Sequence, residues 1–527
     1  MRAYTGKRRR STHTMLSIAG GCAVIGITGV PVAVEADLAR GLPAFDIVGL
    51  PDSTVRESRE RVRAAIRNSG YEFPLARITV NLAPAHVRKV GVGLDLPVAV
   101  SILAASGQVP ARNLDRTTFI GELSLDGALR PVRGVLPGCA AARSSGSSFV
   151  VVPFDNAHEA QCVSELDVIA LGTLSEVADY LSSGAVPLPA RSRRARPDSP
   201  GSIASCDFDQ VVGQDAAIRA IQVAVAGGHN LIMVGPPGGG KTLLASCVPS
   251  ILPAMNDSEA LEVTCIQSIT GTVSPAGLAR KRPFRRPHHT VTPAGMLGGG
   301  NPPMPGEVTQ AHRGVLYLDE FCEFPPRVIE SLRGPMEEGF ITVSRSHGRV
   351  SFPSQFMLIA SANPCACGYL GDPERVCVCQ GASLMRYRRR LAGPVIDRID
   401  IQVEVPRVRR LDLERPIAFL TSDSVRAEIE QARERQGERF CRNGFTNSTM
   451  GPKNIESVAL LSSPARRLLL DAVDRMALSA RAYHRLIKVS RTIADLDDAE
   501  SVEEGHVLEA LQYRALDSEP QVVLSYG

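Results

Sequence analysis

Residues 231–244, LIMVGPPGGGKTLL, decide how the rest of this chain is read. The apolar run from Leu231 to Val234 predicts a strand, a glycine-rich turn follows it, and an apolar run with helix character begins at Lys241. This is G-x-x-x-x-G-K-[ST] in the strand–loop–helix setting that gives the motif its meaning. Gly235, Gly238, Gly239 and Gly240, with Pro236 and Pro237 among them, let the backbone turn sharply and aim successive N–H groups at phosphate oxygens. The helix that starts there adds the positive end of its dipole. Lys241 is expected on the β- and γ-phosphates and the Thr242 hydroxyl on Mg²⁺. The bland alternative is an accidental Gly/Pro turn, against which the coincidence of strand, loop, Lys-Thr pair and helix argues. A nucleotide-binding protein using ATP and Mg²⁺ is the expectation.

The chain has 527 residues, enough for about three or four domains. Its 44% hydrophobic and 22% charged content is that of soluble globular protein. A net charge of +4 over this length says little about partners, so any basic surface must be local. Twelve scattered cysteines do not suggest a disulfide scaffold and fit a reducing cytoplasm. The basic MRAYTGKRRR followed by an apolar run superficially resembles a secretory signal. Alternation of Val30, Val32, Val34 and Ala36 favours a strand leading into folded domain, with Met15 as an alternative start. No run of 18 or more apolar residues suggests a membrane span.

The organisation expected is a basic extension over 1–14, an α+β domain over 15–185, a Pro/Ser/Arg-rich linker over 186–206, an α/β ATPase core over 207–410, a connecting segment over 411–451 and a helical lid over 452–527. In the first domain RITVNL (77–82), SFVVVP (148–153) and LDVIAL (166–171) predict strands. Residues 54–68 predict an amphipathic helix with Thr54 and Glu57 spaced as a capping box and Gly70 as the stop. Residues 89–100 and 121–143 of this domain resemble the proteolytic domain of Lon-type proteases, which the family folds as a ribosomal S5 domain 2-like unit. Such proteases use a Ser–Lys dyad, and aligned by eye Gly93 stands at the serine position and Leu136 at the lysine position. A pair without hydroxyl or amine cannot transfer an acyl group, so a non-proteolytic domain is expected.

Downstream of the phosphate loop, GVLYLDEF (314–321) predicts a buried strand that ends in two carboxylates beside the phosphates. Asp319 would hold Mg²⁺ through water and Glu320 would polarise the attacking water. Residues 207–230 resemble the opening of AAA+ ATPases, a resemblance that implies Val211 and Val212 near the adenine. By the same resemblance Asn363, at the end of FMLIASANP (356–364), is the sensor that orients the water. Arg398 is then the arginine that reaches a neighbouring subunit's nucleotide, and Arg481 in LSARAYHRL the second sensor arginine on the γ-phosphate. The alternatives are a surface Arg398 paired with Asp397 or Asp400, and a solvated Arg481 on a helix.

The stretches VEADLARGLPAFDIVGLPDSTVRESRERVRAAI, RPFRRPHHTVTPAGMLGGG, VLYLDEF and LSARAYHRLIKVSRTIADL resemble one family, the magnesium-chelatase-like AAA+ group of YifB and ComM proteins. That resemblance covers nearly all of the chain from Met15 and implies a homo-oligomeric, hexameric ATPase associated with DNA branch migration. The residues are compatible with DNA. Arg280, Lys281, Arg282, Arg285, Arg286, His288 and His289 could form a basic loop gripping phosphates in a pore, and Arg345, His347 and Arg349 a second basic hairpin. Basic residues packed against acidic neighbours are the alternative. Cys365, Cys367, Cys377 and Cys379 form C-x-C-x₉-C-x-C, a set suited to a structural tetrahedral Zn²⁺, against which stand four reduced thiols. The leading expectation is an ATP-driven DNA motor. Competing with it are an ATPase subunit for metal insertion into a tetrapyrrole and a Lon-like unfoldase.

Overall fold

The computed structural model describes residues 15–184, 206–345, 348–372, 374–391, 394–408, 421–441, 444–451 and 455–514. These fall into two compact units. Residues 1–14 and nearly all of the expected linker lie outside the described residues.

The first unit is built on a seven-stranded mixed sheet, ordered Ala44–Val48, Arg77–Ala83, Thr28–Ala39, Met15–Ile25, Thr117–Phe119, Phe149–Pro153, Asp167–Leu171. The apolar segment that resembles a secretory leader is its central strand: Met15–Ile25 pairs antiparallel with Thr28–Ala39 along its whole length. Alternate residues Ala19 and Ala23 on one strand and Val32, Val34 and Ala36 on the other are buried, as a period of two requires when one face meets a core. The expected amphipathic helix runs Ser53–Asn68 and buries Val55, Val62 and Ile66. Its cap differs from the expected Thr54–Glu57 box. The Asp52 carboxylate accepts from the Val55 amide at 2.8 Å, because Asp52 already has the extended backbone that an N-cap needs and so starts the helix one residue sooner.

One correction concerns where the domains divide. Leu261–Ala279, read from sequence as part of the ATPase core, belongs to the first unit. Leu261 and Cys265 pack on the cluster that contains Val135 and Leu136, and the Ser268 carbonyl accepts from the Gly134 amide at 3.2 Å. The Ser268 hydroxyl also donates to the buried Glu159 carboxylate. Apolar side chains placed on one face of a helix go wherever a core accepts them, and chain order does not constrain that choice.

The second unit carries a five-stranded parallel sheet, ordered Phe284–Arg285, Val315–Leu318, Met357–Ala362, Leu231–Val234, Ile401–Glu404. Leu231–Val234 sits between two parallel neighbours and is buried on both faces. Leu231 and Met233 enter one core with the helices Asp215–Gly227 and Lys241–Ile251, while Ile232 and Val234 enter another with Val308, Phe321 and Phe324. This double burial is why the strand reads as an unbroken apolar run. Each such side chain contributes roughly 1.5–3 kcal/mol. Within the stretch expected to be a connection, Ser422–Phe440 is a helix that places Val425, Ile429 and Ala432 in the first of these cores. The helices Ser463–Arg475, Ala480–Leu496 and Glu504–Gln512 follow, as the helical periodicity predicts. The fold is therefore a P-loop core with a helical lid, joined in sequence to an α+β domain. No helix among the described residues is long and apolar enough to cross a membrane.

Candidate active site

In a parallel sheet the carboxyl ends of the strands form the crevice where ligands bind, and three of this unit's strands deliver their predicted residues there. Leu231–Val234 leads into the phosphate loop, whose Gly238 and Gly240 have φ of +80° and +89°. Gly235 is required by close approach, since a Cβ there would stand 2.0 Å from the Val405 carbonyl oxygen. The helix begins at Lys241. The Lys241 ammonium folds onto its own loop, donating to the Gly235 and Pro236 carbonyls at 2.6 and 2.9 Å. It also donates to Asn363 Oδ1 at 3.2 Å, so the loop lysine and Asn363 share one site. Desolvation lowers the Lys241 pKa, while the charges of Asp319 and Glu320 oppose that shift.

Val315–Leu318 ends at Asp319, whose two oxygens face different groups. Oδ1 accepts from the Tyr317 and Ser361 hydroxyls at 2.8 and 2.6 Å, and Oδ2 from the Thr242 hydroxyl at 3.3 Å. Desolvation works to raise the Asp319 pKa, but the Ser361 and Tyr317 hydroxyls and the Arg286 charge outweigh it and keep the carboxyl below its ordinary range. Thr242 and Asp319 thus present a hydroxyl and a carboxylate oxygen together, a donor set that fits the Mg²⁺ carried by ATP. Glu320 follows in the left-handed region at φ +55°, a conformation that costs a non-glycine residue on the order of 1 kcal/mol. Its amide donates to Ser361 Oγ at 3.1 Å, and its side chain is exposed.

Two supporting residues have no role in the sequence reading. Ser361 is buried and fastens both Asp319 and the Glu320 amide; the signal for it is a hydroxyl in an otherwise apolar strand. Gln214, also buried, donates to the Gly239 and Pro406 carbonyls at 3.1 and 2.7 Å and braces the phosphate loop against the end of the strand Ile401–Glu404. Val211 and Val212 lie just before it, half-buried.

Arg398 and Arg481 stand elsewhere. Arg398 Nη2 is 2.5 Å from Glu337 Oε1, and Arg481 Nη2 donates to the same oxygen. Neither Asp397 nor Asp400 is the partner of Arg398. The Arg398 carbonyl accepts from Asn230 Nδ2 at 3.2 Å, and Asn230 immediately precedes Leu231–Val234. Both arginines therefore lie at the amino ends of the strands, with a strand length of about 13 Å between them and the phosphate loop. Arg481, expected to close the nucleotide site of its own chain, is at the opposite end of the strands. The two arginines line a cavity of about 540 Å³ with Arg282, Arg433, Arg485 and Lys488. Desolvation alone would raise the Glu337 pKa; hydrogen bonds from Arg398 and Arg481 hold it below the usual range.

The basic stretch after residue 279 also differs from the expected pore loop. Arg280 pairs with Asp257 at 3.1 Å, Arg282 with Glu259 at 2.8 Å, Arg285 with Glu307 at 2.7 Å and Arg286 with Asp319. The His288 and His289 rings lie against one another, tilted by 33° with centroids 4.1 Å apart. The strand Phe284–Arg285 joins the sheet edge, and that pairing draws the arginines onto nearby carboxylates. The second expected basic element is a hairpin of Phe340–Arg345 and Gly348–Pro353, with an exposed Arg349; His347 lies outside the described residues. A stronger basic surface, absent from the sequence reading although YRRR signals it, is the helix Gly381–Leu391. Arg386 and Arg389 are exposed on it, and neither forms an ion pair among the described residues.

The four cysteine sulfurs converge within 4.8 Å of one another. Cys365 Sγ is 3.3 Å from Cys367 Sγ and 3.7 Å from Cys377 Sγ, and Cys367 and Cys377 are 3.6 Å apart. Tetrahedral Zn–S bonds of about 2.3 Å put sulfurs about 3.8 Å apart, so the set fits Zn²⁺. The Tyr369 amide pulls the Cys367 thiol down to about 6, while against the Cys379 amide burial and hydrogen bonds with the neighbouring thiols push Cys377 up to about 12, so the fit rests on the sulfur geometry. The loop rests on the nucleotide site: a Cβ on Gly368 would stand 2.6 Å from Pro237 Cδ.

In the first unit Gly93 borders a cleft of about 360 Å³ whose polar lining is Cys22, Glu122 and Arg133, with no hydroxyl or lysine side chain. Leu136 is fully buried, and its amide donates to Glu159 at 2.9 Å.

Comparison with known sequences gives three matches along the chain to magnesium chelatase profiles. Subunit ChlI of Mg-chelatase matches residues 34–156, Magnesium chelatase, subunit ChlI, residues 207–413, and Magnesium chelatase, subunit ChlI C-terminal, residues 420–514. The uncharacterized protein YifB of Escherichia coli K12 is 39% identical over 507 residues, 95% of this chain and 97% of the relative. Competence protein ComM of Haemophilus influenzae is 40% identical over 505 residues, 95% of this chain and 98% of that protein. Lon protease 2 of Bacillus subtilis is 30% identical over 130 residues, 24% of this chain and 23% of that protein.

Proposed function

This chain belongs to the magnesium-chelatase-like AAA+ family of YifB and ComM proteins, and on that premise we propose that it hydrolyses ATP as a homo-oligomeric ring, a hexamer, that moves along or remodels DNA. The observation that carries the ring is the separation of the two arginines from the phosphate loop: Arg398 and Arg481 meet at Glu337 on the opposite end of the sheet. A nucleotide held at one chain's loop meets those arginines when a second copy presents them. Backbone N–H groups of the loop and Lys241 hold the phosphates, with Val211 and Val212 beside the base. Thr242 and Asp319 hold the Mg²⁺ that arrives with the substrate. Glu320, projected by its left-handed backbone and helped by Asn363, orients the attacking water, and the second copy's arginines stabilise charge on the transferring phosphoryl group. Glu337 keeps the guanidinium groups together until a neighbour's phosphates offer them more charge.

DNA as the partner rests on the exposed arginines of Gly381–Leu391 and on the name of the ComM relative, a competence protein. The test is ATPase activity with and without single-stranded DNA and defined junctions. Stimulation is expected, and Arg386→Ala with Arg389→Ala should weaken DNA binding and reduce its logarithmic salt slope by about 1 for each arginine that no longer neutralises a phosphate. An assembled ring that neither binds DNA at low salt nor is stimulated by it refutes the motor reading.

We read the four cysteines as a structural zinc clip. Purified protein should carry stoichiometric zinc that Cys377→Ser with Cys379→Ser removes, and the clip's loss should lower the melting temperature. Protein purified without chelator and free of zinc refutes this assignment.

A further inference from the structure

Arg286 belongs, on sequence, with a run of basic residues suited to DNA, yet the fold sets it on the catalytic carboxylate. Phe284–Arg285 pairs in parallel with Val315–Leu318, so the residue after it emerges at the same sheet edge as Tyr317 and Asp319. The Arg286 guanidinium carbon lies 5.5 Å from the Tyr317 ring centroid, and Nη2 is 2.5 Å from Asp319 Oδ2. Stacking on the ring and pairing with the carboxylate give the long side chain one preferred direction, although about half of it is exposed.

The distribution of partners over Asp319 makes this placement consequential. Oδ1 is occupied by the hydroxyls of Tyr317 and Ser361. Oδ2 is the oxygen shared by Thr242, the hydroxyl expected on Mg²⁺, and by Arg286. A guanidinium and a hydrated divalent cation compete for that one oxygen, because both need its lone pairs and repel each other. The guanidinium released from Oδ2 lies beside the start of the helix Lys241–Ile251, where the phosphates sit, so its nearest new anion is the nucleotide itself.

We propose that Arg286 is a cis-acting ATP-sensing residue: it serves as the counter-ion of Asp319 Oδ2 in the nucleotide-free site and transfers to the terminal phosphate when Mg·ATP binds. The proposal rests on the reading of Asp319 and Thr242 as the Mg²⁺-side residues. It assigns to the chain's own site an arginine distinct from the pair held by Glu337. It predicts discrimination between ATP and ADP, since ADP lacks the phosphate that would receive the guanidinium.

The experiment measures equilibrium binding of fluorescent ATP and ADP analogues, and of Mn²⁺ in the presence of ADP, to the full-length wild type, Arg286→Gln and Arg286→Lys. In Arg286→Gln the affinity for the ATP analogue should fall about tenfold relative to that for the ADP analogue, as expected when one charge-assisted hydrogen bond is removed. With ADP bound, the same variant should hold Mn²⁺ several-fold more tightly, because the competing cation is gone. Arg286→Lys, which keeps the charge, should retain part of the ATP preference. An unchanged ratio of ATP to ADP affinity in Arg286→Gln overturns the phosphate half of the proposal, and unchanged Mn²⁺ affinity overturns the counter-ion half. Asp319→Asn separates this failure from a failure of the underlying reading: if metal-dependent nucleotide binding survives in that variant, the assignment of Asp319 is what is wrong.

Discussion

Glu320→Gln is expected to bind ATP as the wild type does and to turn it over about 10²–10⁴ times more slowly, the usual contribution of a positioned general base. The carboxylate has no partner role in holding the fold: its side chain is exposed, and the fastening to Ser361 is through its backbone amide. The left-handed backbone at Glu320 is retained by glutamine, which has the same shape, so the substitution removes charge and basicity and little else. Lys241→Ala is the contrasting variant. It removes the ammonium proposed to hold the phosphates and should lose nucleotide binding itself. Equilibrium binding and single-turnover hydrolysis on the two variants check the assignment, and a Glu320→Gln protein that hydrolyses at the wild-type rate sinks it.

Mixed rings test the second large effect. Arg398→Ala should lower turnover by about 10³-fold or more if its guanidinium stabilises the transition state. Mixed with Lys241→Ala, which is inactive for a different reason, it should regain activity: about one interface in four of a randomly mixed ring pairs an intact phosphate loop with an intact arginine. The position of Arg481 on the same Glu337 extends the prediction, since Arg481→Ala should be rescued by Lys241→Ala in the same way. Rescue of Arg398→Ala without rescue of Arg481→Ala would return Arg481 to its own chain's nucleotide. No rescue of either would remove the ring as the basis of hydrolysis.

The parts of this site that could be read in advance are those written locally. The phosphate loop needs only a strand, glycines free to take positive φ and a lysine at the first turn of a helix, all within 231–244. Asp319 and Glu320 follow a strand that is apolar because both its faces are buried, and the cysteine spacing is legible because all four thiols lie in one loop. Ser361, Gln214 and Glu337 were illegible for the opposite reason. Ser361 acts on a residue 42 positions away, Gln214 on one 192 away, and Glu337 joins arginines 61 and 144 positions distant. A serine or glutamine in an apolar context carries no record of which distant carbonyl or carboxylate will satisfy it.

By itself, then, the amino-acid order determined the elements: the strand that feeds the loop, the helix that follows it, the carboxylate pair and the thiol set. Short-range hydrogen bonding and backbone sterics decide such features within a few residues. Only the tertiary structure decided which charges face one another. Parallel pairing of Phe284–Arg285 with Val315–Leu318 brought Arg286 to Asp319, and the packing of Ala480–Leu496 brought Arg481 beside Arg398 on Glu337, away from the phosphate loop. Strand order and helix packing are set by burial of apolar surface, which is non-directional, and the charged side chains then pair with whatever that burial has placed within reach.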